Sequence, residues 1–124
     1  MILYRGGFGK ERKPKPDEYP GVFFATTKGG ASNYGPVVSA YETIGTLNIL
    51  ARESEKTPQL IAESDPEYWA EEEMTQRDIT NFFVTPTEDW VAFLIERGYD
   101  GLSYETSDGG DVFLFDPKRV RSVK

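Results

Sequence analysis

The stretch from Gly21 to Tyr34, GVFFATTKGGASNY, decides the fold of this chain. Its first six residues have the β-branched and aromatic content of a buried strand. The glycines between Lys28 and Gly35 leave room for only a short helical turn. We therefore predict a buried strand, followed by a turn that displays Tyr34.

The flanking segments also favour strands. Met1 to Tyr4 is a short apolar run that ends at two glycines, which predicts an edge strand, and the Lys- and Pro-rich segment from Lys10 to Pro20 predicts a mobile loop. Val37 to Leu50 is rich in Val, Ile, Tyr and Thr but is interrupted by Gly45. This pattern predicts either an extended strand pair or one bent strand.

The longer helical patterns lie between Thr57 and Arg97. Thr57 to Thr80 is acidic and loosely helical, and we expect its apolar contacts to come from Tyr68, Trp69 and Met74. The clearest helix is predicted over residues 88–97, because Thr87 can cap its start and Gly98 can close its end. Its core-facing stripe is formed by four apolar residues: Trp90, Val91, Leu94 and Ile95.

The C-terminal part alternates short strands with turns. Strands are predicted over 102–104, 112–115 and 120–123, with a turn-rich loop from Glu105 to Gly110. No repeat is visible, and many short strands with few helices predict a single α+β domain over residues 1–124.

Composition limits the chemistry. The chain has 124 residues, a net charge of −7, no cysteine and no histidine. We expect a protein with neither a signal peptide nor a membrane span, no metal site, no imidazole base and little attraction to nucleic acid. A basic protein is the partner that fits this charge better.

Gly21–Tyr34 closely resembles the strand and turn of the nicotinamide pocket in poly- and mono-ADP-ribosyltransferases. The resemblance implies that Phe23 and Tyr34 sandwich the flat, cationic nicotinamide ring of NAD⁺. It also implies that Thr26 and Ser32 line the pocket, whereas we expect Phe24 to be core.

Leu3-Tyr4-Arg5-Gly6-Gly7 resembles the first-strand motif of the same family. The implied roles are a backbone hydrogen bond from Gly6 to the nicotinamide carboxamide and a contact from Arg5 to the dinucleotide. A guanidinium suits phosphate or ribose oxygens, and a glycine permits close backbone approach.

GYDGLSY at 98–104 and DVFLFDPKRVRSV at 111–123 resemble the ending of small ADP-ribosyltransferase-like domains of bacteria and their phages. Asp111 stands where most members have the catalytic glutamate, and its reach is ~1.5 Å shorter. Arginine-modifying members carry a second glutamate two residues earlier, where this chain has Gly109. Glu105 and Asp108 are alternative catalytic acids, and their loop would present or select the acceptor.

The resemblance implies an α+β fold with two small packed, antiparallel-rich sheets and peripheral helices. The implied function is mono-ADP-ribosyl transfer from NAD⁺, with no metal, to a protein acceptor in the cytoplasm of the producing or infected cell. The expected setting is a phage- or mobile-element-borne effector that acts on host or CRISPR defence machinery. A basic nucleic-acid-binding complex is its expected target. An NAD⁺ glycohydrolase and a catalytically inactive binding module remain open alternatives.

Overall fold

A computed structural model of the chain describes residues 1–9 and 19–123. The fold is α+β, as predicted, with seven strands and five α-helices in the described part. None of its helices combines the length and the apolar character needed to cross a bilayer. The predicted loop from Lys10 to Pro20 lies almost wholly outside the described residues.

The first half of the chain contributes four strands and a short helix. These are β1 (Ile2–Gly7), β2 (Val22–Ala25), α1 (Lys28–Ser32), β3 (Val37–Thr43) and β4 (Ile49–Ala51). The predicted buried strand and the short helical turn after it are therefore confirmed.

The second half contributes the remaining helices and strands. They are α2 (Thr57–Ser64), α3 (Pro66–Trp69), α4 (Gln76–Val84), α5 (Glu88–Glu96), β5 (Gly101–Tyr104), β6 (Asp111–Leu114) and β7 (Val120–Ser122), with a 3₁₀ turn at Pro117–Arg119. The helix predicted over 88–97 is confirmed as α5, and the Thr87 side chain caps it by accepting a hydrogen bond from the Trp90 amide. Ile95 was predicted in its core stripe but is exposed, because it lies at the solvent side of the last turn.

The seven strands form one sheet in the order β4-β5-β6-β2-β1-β3-β7. The expectation of two small packed sheets is therefore wrong, because hydrogen bonds connect all seven strands in one sheet. The connection is narrow, because the register of β1 and β2 in the described chain contains the single pair Tyr4 and Ala25, whereas β1 and β3 pair from Ile2 to Gly7. A wider part (β4, β5, β6, β2) and a narrower part (β1, β3, β7) meet at this junction.

Two other strand predictions also need correction. The strand predicted at Met1 to Tyr4 is not at an edge, since β1 lies between β2 and β3. Val37 to Leu50 does form two strands, but β3 pairs with β1 and β7, while β4 pairs in parallel with β5 at the far edge. Their local sequence indicates strands correctly and carries no information about the partner.

Two hydrophobic clusters form the core of the protein. One packs the helices on the wider part of the sheet, through buried residues that include Ile61, Phe83, Trp90, Leu94 and Phe113. The other joins the wider and narrower parts, through Leu3, Val22, Phe24, Tyr41, Val112, Leu114 and Val120. Trp69 and Met74 pack against the first cluster as predicted, whereas Tyr68 is mostly exposed.

Helix α1 lies directly on β1 at Gly6. A Cβ atom at Gly6 would lie 1.8 Å from the Ala31 carbonyl oxygen, a distance that no relaxed structure tolerates. The absence of a side chain at Gly6 therefore lets the α1 backbone approach the sheet.

The replacement Gly6→Ala should lower the free energy of unfolding by more than about 3 kcal/mol, because the clash is with backbone and α1 must move. Gly7→Ala is the matched control, since its Cβ would meet no atom nearer than 3.9 Å. Its effect should stay below about 1 kcal/mol. Urea denaturation of both variants measures the difference, and equal losses would contradict the close packing of α1 on β1.

Candidate functional site

A cleft of about 630 Å³ opens where the two parts of the sheet meet. Its volume is in the range of small-molecule sites. The lining residues come from β1, β2, α1, α4, β5 and β6 and from two adjoining positions, Tyr19 before β2 and Tyr34 after α1. They are Tyr4, Arg5, Gly6, Tyr19, Phe23, Phe24, Ala25, Ala31, Tyr34, Val84, Tyr104 and Asp111. Its described lining is thus strongly aromatic and includes one carboxylate, from Asp111, and one guanidinium, from Arg5.

Five of the predicted site residues line this cleft: Arg5, Gly6, Phe23, Tyr34 and Asp111. They come from three separate segments of the chain, which the sheet brings together through the pairing of β1, β2 and β6. Across β2 and β6, Asp111 lies opposite Ala25. The three sequence blocks therefore converge on one site.

The Arg5 side chain links β1 to β2 beyond the single residue pair at which their backbone pairing ends. Its Nη1 donates a hydrogen bond of 2.8 Å to the Phe23 carbonyl oxygen, and its guanidinium carbon lies 5.8 Å from the centre of the Phe24 ring. The positive charge is thus held at the wall of the cleft by contacts with β2. This placement suits an anionic or hydroxyl-bearing ligand.

The aromatic wall combines a fixed ring with an exposed one. Phe23 is half-buried, and its ring packs against Phe113 at 4.6 Å and edge-on against Tyr19 at 5.6 Å. Tyr34 follows α1 and is 65% exposed, which leaves most of its surface accessible to a ligand. These rings offer both a rigid and an accessible face for stacking.

Asp111 is the carboxylate of the cleft, and its neighbour is Tyr104. The Tyr104 hydroxyl donates a hydrogen bond of 2.9 Å to Asp111 Oδ2, across directly paired positions of β5 and β6. Burial raises the pKa of Asp111 above its ordinary value, the Tyr104 hydrogen bond lowers it, and the charge of Asp108 raises it further. Burial and the nearby Asp111 also raise the pKa of the Tyr104 phenol, so it remains a donor at neutral pH.

The loop from Glu105 to Gly110 is tied to α1. The Thr27 hydroxyl donates to the Asp108 carbonyl oxygen at 2.7 Å, and the Asn33 side-chain amide donates to the Asp108 carboxylate at 2.8 Å. Glu105 and Asp108 are both exposed and lie outside the residues that line the cleft. The structure thus gives Asp108 a bracing contact beside the cleft.

Two further predicted residues, Thr26 and Ser32, also lie outside the lining. The Thr26 hydroxyl donates to the Gly110 carbonyl oxygen at 3.2 Å, and the Ser32 hydroxyl donates to the Gly29 carbonyl oxygen at 2.7 Å. Their hydroxyls thus support the loop and α1.

Gly109 is the residue that the resemblance aligns with the second glutamate of arginine-modifying ADP-ribosyltransferases. Its φ is +116°, and a Cβ atom there would lie 2.7 Å from Thr27 Cγ2. A glutamate at this position would be strained in this loop. The loop geometry is thus built around the glycine.

Sequence reasoning missed Tyr4, Tyr19, Val84 and Tyr104 as cleft residues. For Tyr104 a signal existed, since it precedes a loop of six residues and Asp111 follows it. Such a loop between two predicted strands places its flanking residues opposite each other in a hairpin. For Val84, at the end of α4, the sequence contains no comparable signal.

Replacing Thr27 with valine should lower the free energy of unfolding by about 1–2 kcal/mol, because one hydroxyl both caps α1 and holds the loop. Ser32→Ala is the control, because that hydroxyl donates to the Gly29 carbonyl oxygen within α1. It should cost less than about 0.5 kcal/mol. Denaturation in urea at pH 7 compares the two, and an equally mild Thr27→Val would contradict the bracing contact.

Asp111→Asn should stabilise the protein at pH 7. Burial raises the pKa of Asp111 in the folded state, so the folded protein is penalised once the pH rises through that pKa, and the penalty persists above it. The advantage of the variant should therefore shrink as the pH falls toward about 4. Thermal denaturation between pH 7 and about pH 4 measures the difference in stability between the variant and the wild type. Asp89→Asn, at an exposed position, is the control. An advantage that grows toward low pH would contradict the assignment.

Comparison with known proteins finds a shared fold. No protein-family model and no curated protein matches the sequence. The chain is similar to the crystal structure of an anti-CRISPR protein, with a TM-score of 0.57 and 14% identity over 99% of this chain and 95% of that chain. At this identity the similarity shows that the two chains share their overall α+β fold.

Proposed function

We propose that this protein is a mono-ADP-ribosyltransferase that binds NAD⁺ in the cleft. The observation that carries the proposal is the convergence of Arg5, Gly6, Phe23, Tyr34 and Asp111 on one cavity. These residues come from three sequence blocks that each resemble a different part of the ADP-ribosyltransferase fold. Their meeting in one cavity supports the resemblance.

The chemistry of the lining supports NAD⁺ as the substrate. The nicotinamide ring is flat and cationic, and the Phe23 and Tyr34 rings can stack on it. The Gly6 backbone would bind the carboxamide, and the Arg5 guanidinium would bind phosphate or ribose oxygens. Asp111 would accept hydrogen bonds from the nicotinamide ribose.

In the proposed reaction, the bond between the nicotinamide nitrogen and the ribose carbon breaks, and its electron pair leaves with neutral nicotinamide. The ribose develops oxocarbenium-like positive charge, which the Asp111 carboxylate stabilises. A nucleophile of the acceptor then bonds to the ribose carbon and releases a proton. The chain contains no histidine, so the proton passes to a carboxylate, to an acceptor group or to solvent.

We propose a component of a CRISPR defence complex as the protein acceptor. The similar fold of an anti-CRISPR protein supports this setting. The net charge of −7 supports a basic partner, because opposite charges accelerate and orient the encounter. Gly109 supports an acceptor residue other than arginine, because the second glutamate of arginine-modifying members is missing and a side chain at this position would be strained.

A second candidate is a module that binds NAD⁺ or a partner without turnover. Asp111 favours it, because this side chain is one methylene shorter than the glutamate that most ADP-ribosyltransferases carry at the corresponding position. A carboxylate with a shorter reach gives less stabilisation to a ribose cation.

Labelled NAD⁺ should release nicotinamide and label a discrete protein when the purified protein is mixed with lysate of CRISPR-carrying bacteria. Asp111→Asn should lower both signals by about 100-fold or more while NAD⁺ affinity stays within about threefold, since the carboxylate acts mainly in the transition state. Asp89→Asn, an equal change at an exposed helix position, should retain both signals.

The other outcomes separate the alternatives. Nicotinamide release without labelled protein, in every lysate tried, would identify an NAD⁺ glycohydrolase. NAD⁺ binding with neither signal would identify the inactive binding module. Absence of NAD⁺ binding at millimolar concentration would overturn the assignment of the cleft.

A further inference from the structure

Tyr104 is the cleft residue whose contacts the proposed function leaves unexplained. It ends β5, is half-buried, and stands directly opposite Asp111 in the antiparallel pairing of β5 and β6. Its hydroxyl lies 2.9 Å from Asp111 Oδ2, and both side chains line the cleft. Within residues 1–9 and 19–123, this hydroxyl is the one side-chain donor bonded to the Asp111 carboxylate.

We propose that Tyr104 is a positioning residue that fixes Asp111 by one oxygen and leaves Oδ1 for the ligand. This inference rests on the proposed function, in which Asp111 meets the nicotinamide ribose. A carboxylate on a short side chain has few rotamers, and a bond to one oxygen selects among them. Tyr104 therefore converts a half-exposed carboxylate into a preoriented acceptor.

Cross-strand pairing makes the contact rigid. Tyr104 and Asp111 are the last pair of the β5–β6 ladder, which continues through Ser103 with Val112 to Gly101 with Leu114. On the other side of Asp111, β6 pairs with β2 at Ala25. The backbone of Asp111 is thus held from both sides, and Tyr104 fixes the remaining freedom of its side chain.

Electrostatics supports the same role. Burial raises the pKa of Asp111, and the phenol hydrogen bond opposes this rise, so it favours the ionised carboxylate. Asp108 from the loop acts against ionisation. In the part of the chain that the structure describes, the other titratable and charged groups that line the cleft are Arg5 and Tyr4 from β1, Tyr19 before β2, and Tyr34 after α1. A change of the Tyr104 hydroxyl alone leaves all of these in place.

The test is Tyr104→Phe, which removes the hydroxyl and keeps the ring, with Tyr99→Phe as the matched control. Tyr99 is also half-buried but packs against the helical cluster and lies outside the cleft lining. The titration midpoint of Asp111, followed by NMR on protein with ¹³C-labelled aspartate, should rise by about half a pH unit or more in Tyr104→Phe. It should not move in Tyr99→Phe.

Turnover provides the second measurement. In Tyr104→Phe, kcat for NAD⁺ consumption should fall about tenfold while the Kd for NAD⁺ changes less than about twofold, and the acidic limb of the pH profile should move upward with the Asp111 midpoint. A purely structural role would lower the amount of folded protein without moving that limb.

The outcomes distinguish this inference from the proposed function. An unchanged Asp111 midpoint overturns the inference, even in a protein that consumes NAD⁺, and so does a shifted midpoint with unchanged turnover. A wild-type protein that binds NAD⁺ and never consumes it overturns the proposed transferase. The titration of Asp111 still tests whether Tyr104 acts on its carboxylate. If Tyr104→Phe does not fold, the Tyr104 ring is titrated in Asp111→Asn, where loss of the carboxylate charge should lower the phenol pKa.

Discussion

The single pairing of Tyr4 with Ala25 is the constraint on which the site depends. It joins the two parts of the sheet, and beyond it β1 and β2 are linked by the Arg5 side chain and not by a continued ladder. A full ladder between β1 and β2 would close the space that the cleft occupies. Without any pairing of these strands, Arg5 and Gly6 would lie apart from Asp111. The cleft exists because the two strands meet once and then diverge.

The walls of the cleft are fixed by backbone contacts. Gly6 lets α1 lie on β1, and the Thr27 hydroxyl connects the start of α1 to the loop that precedes Asp111. The elements that carry Tyr34 and Asp111 are therefore braced against each other. A site built in this way needs little reordering when a ligand binds, and this lowers the entropic cost of binding.

The predictions that succeeded rest on local signals. The strand at β2 and the capped helix α5 follow from residue type and from Thr87, which are properties of a few adjacent positions. The errors concern partners: the two glycines that follow the apolar run from Met1 to Tyr4 indicate the end of an edge strand, whereas both lie within β1 and Gly6 serves the contact with α1. Among the site residues, Arg5 and Asp111 were found through family resemblance, while Tyr104 depends on a strand register that no single residue specifies.

The position of Asp111 is costly to the fold and useful to the proposed chemistry for the same reason. Asp111 is half-buried, and the partial loss of hydration raises its pKa, so ionisation at neutral pH costs stability. The same partial loss of hydration strengthens its attraction to positive charge that develops nearby. A structural role alone would be served as well by an asparagine, which can accept the Tyr104 hydrogen bond without this cost. The charge at this position therefore argues for a role in binding or chemistry in the cleft.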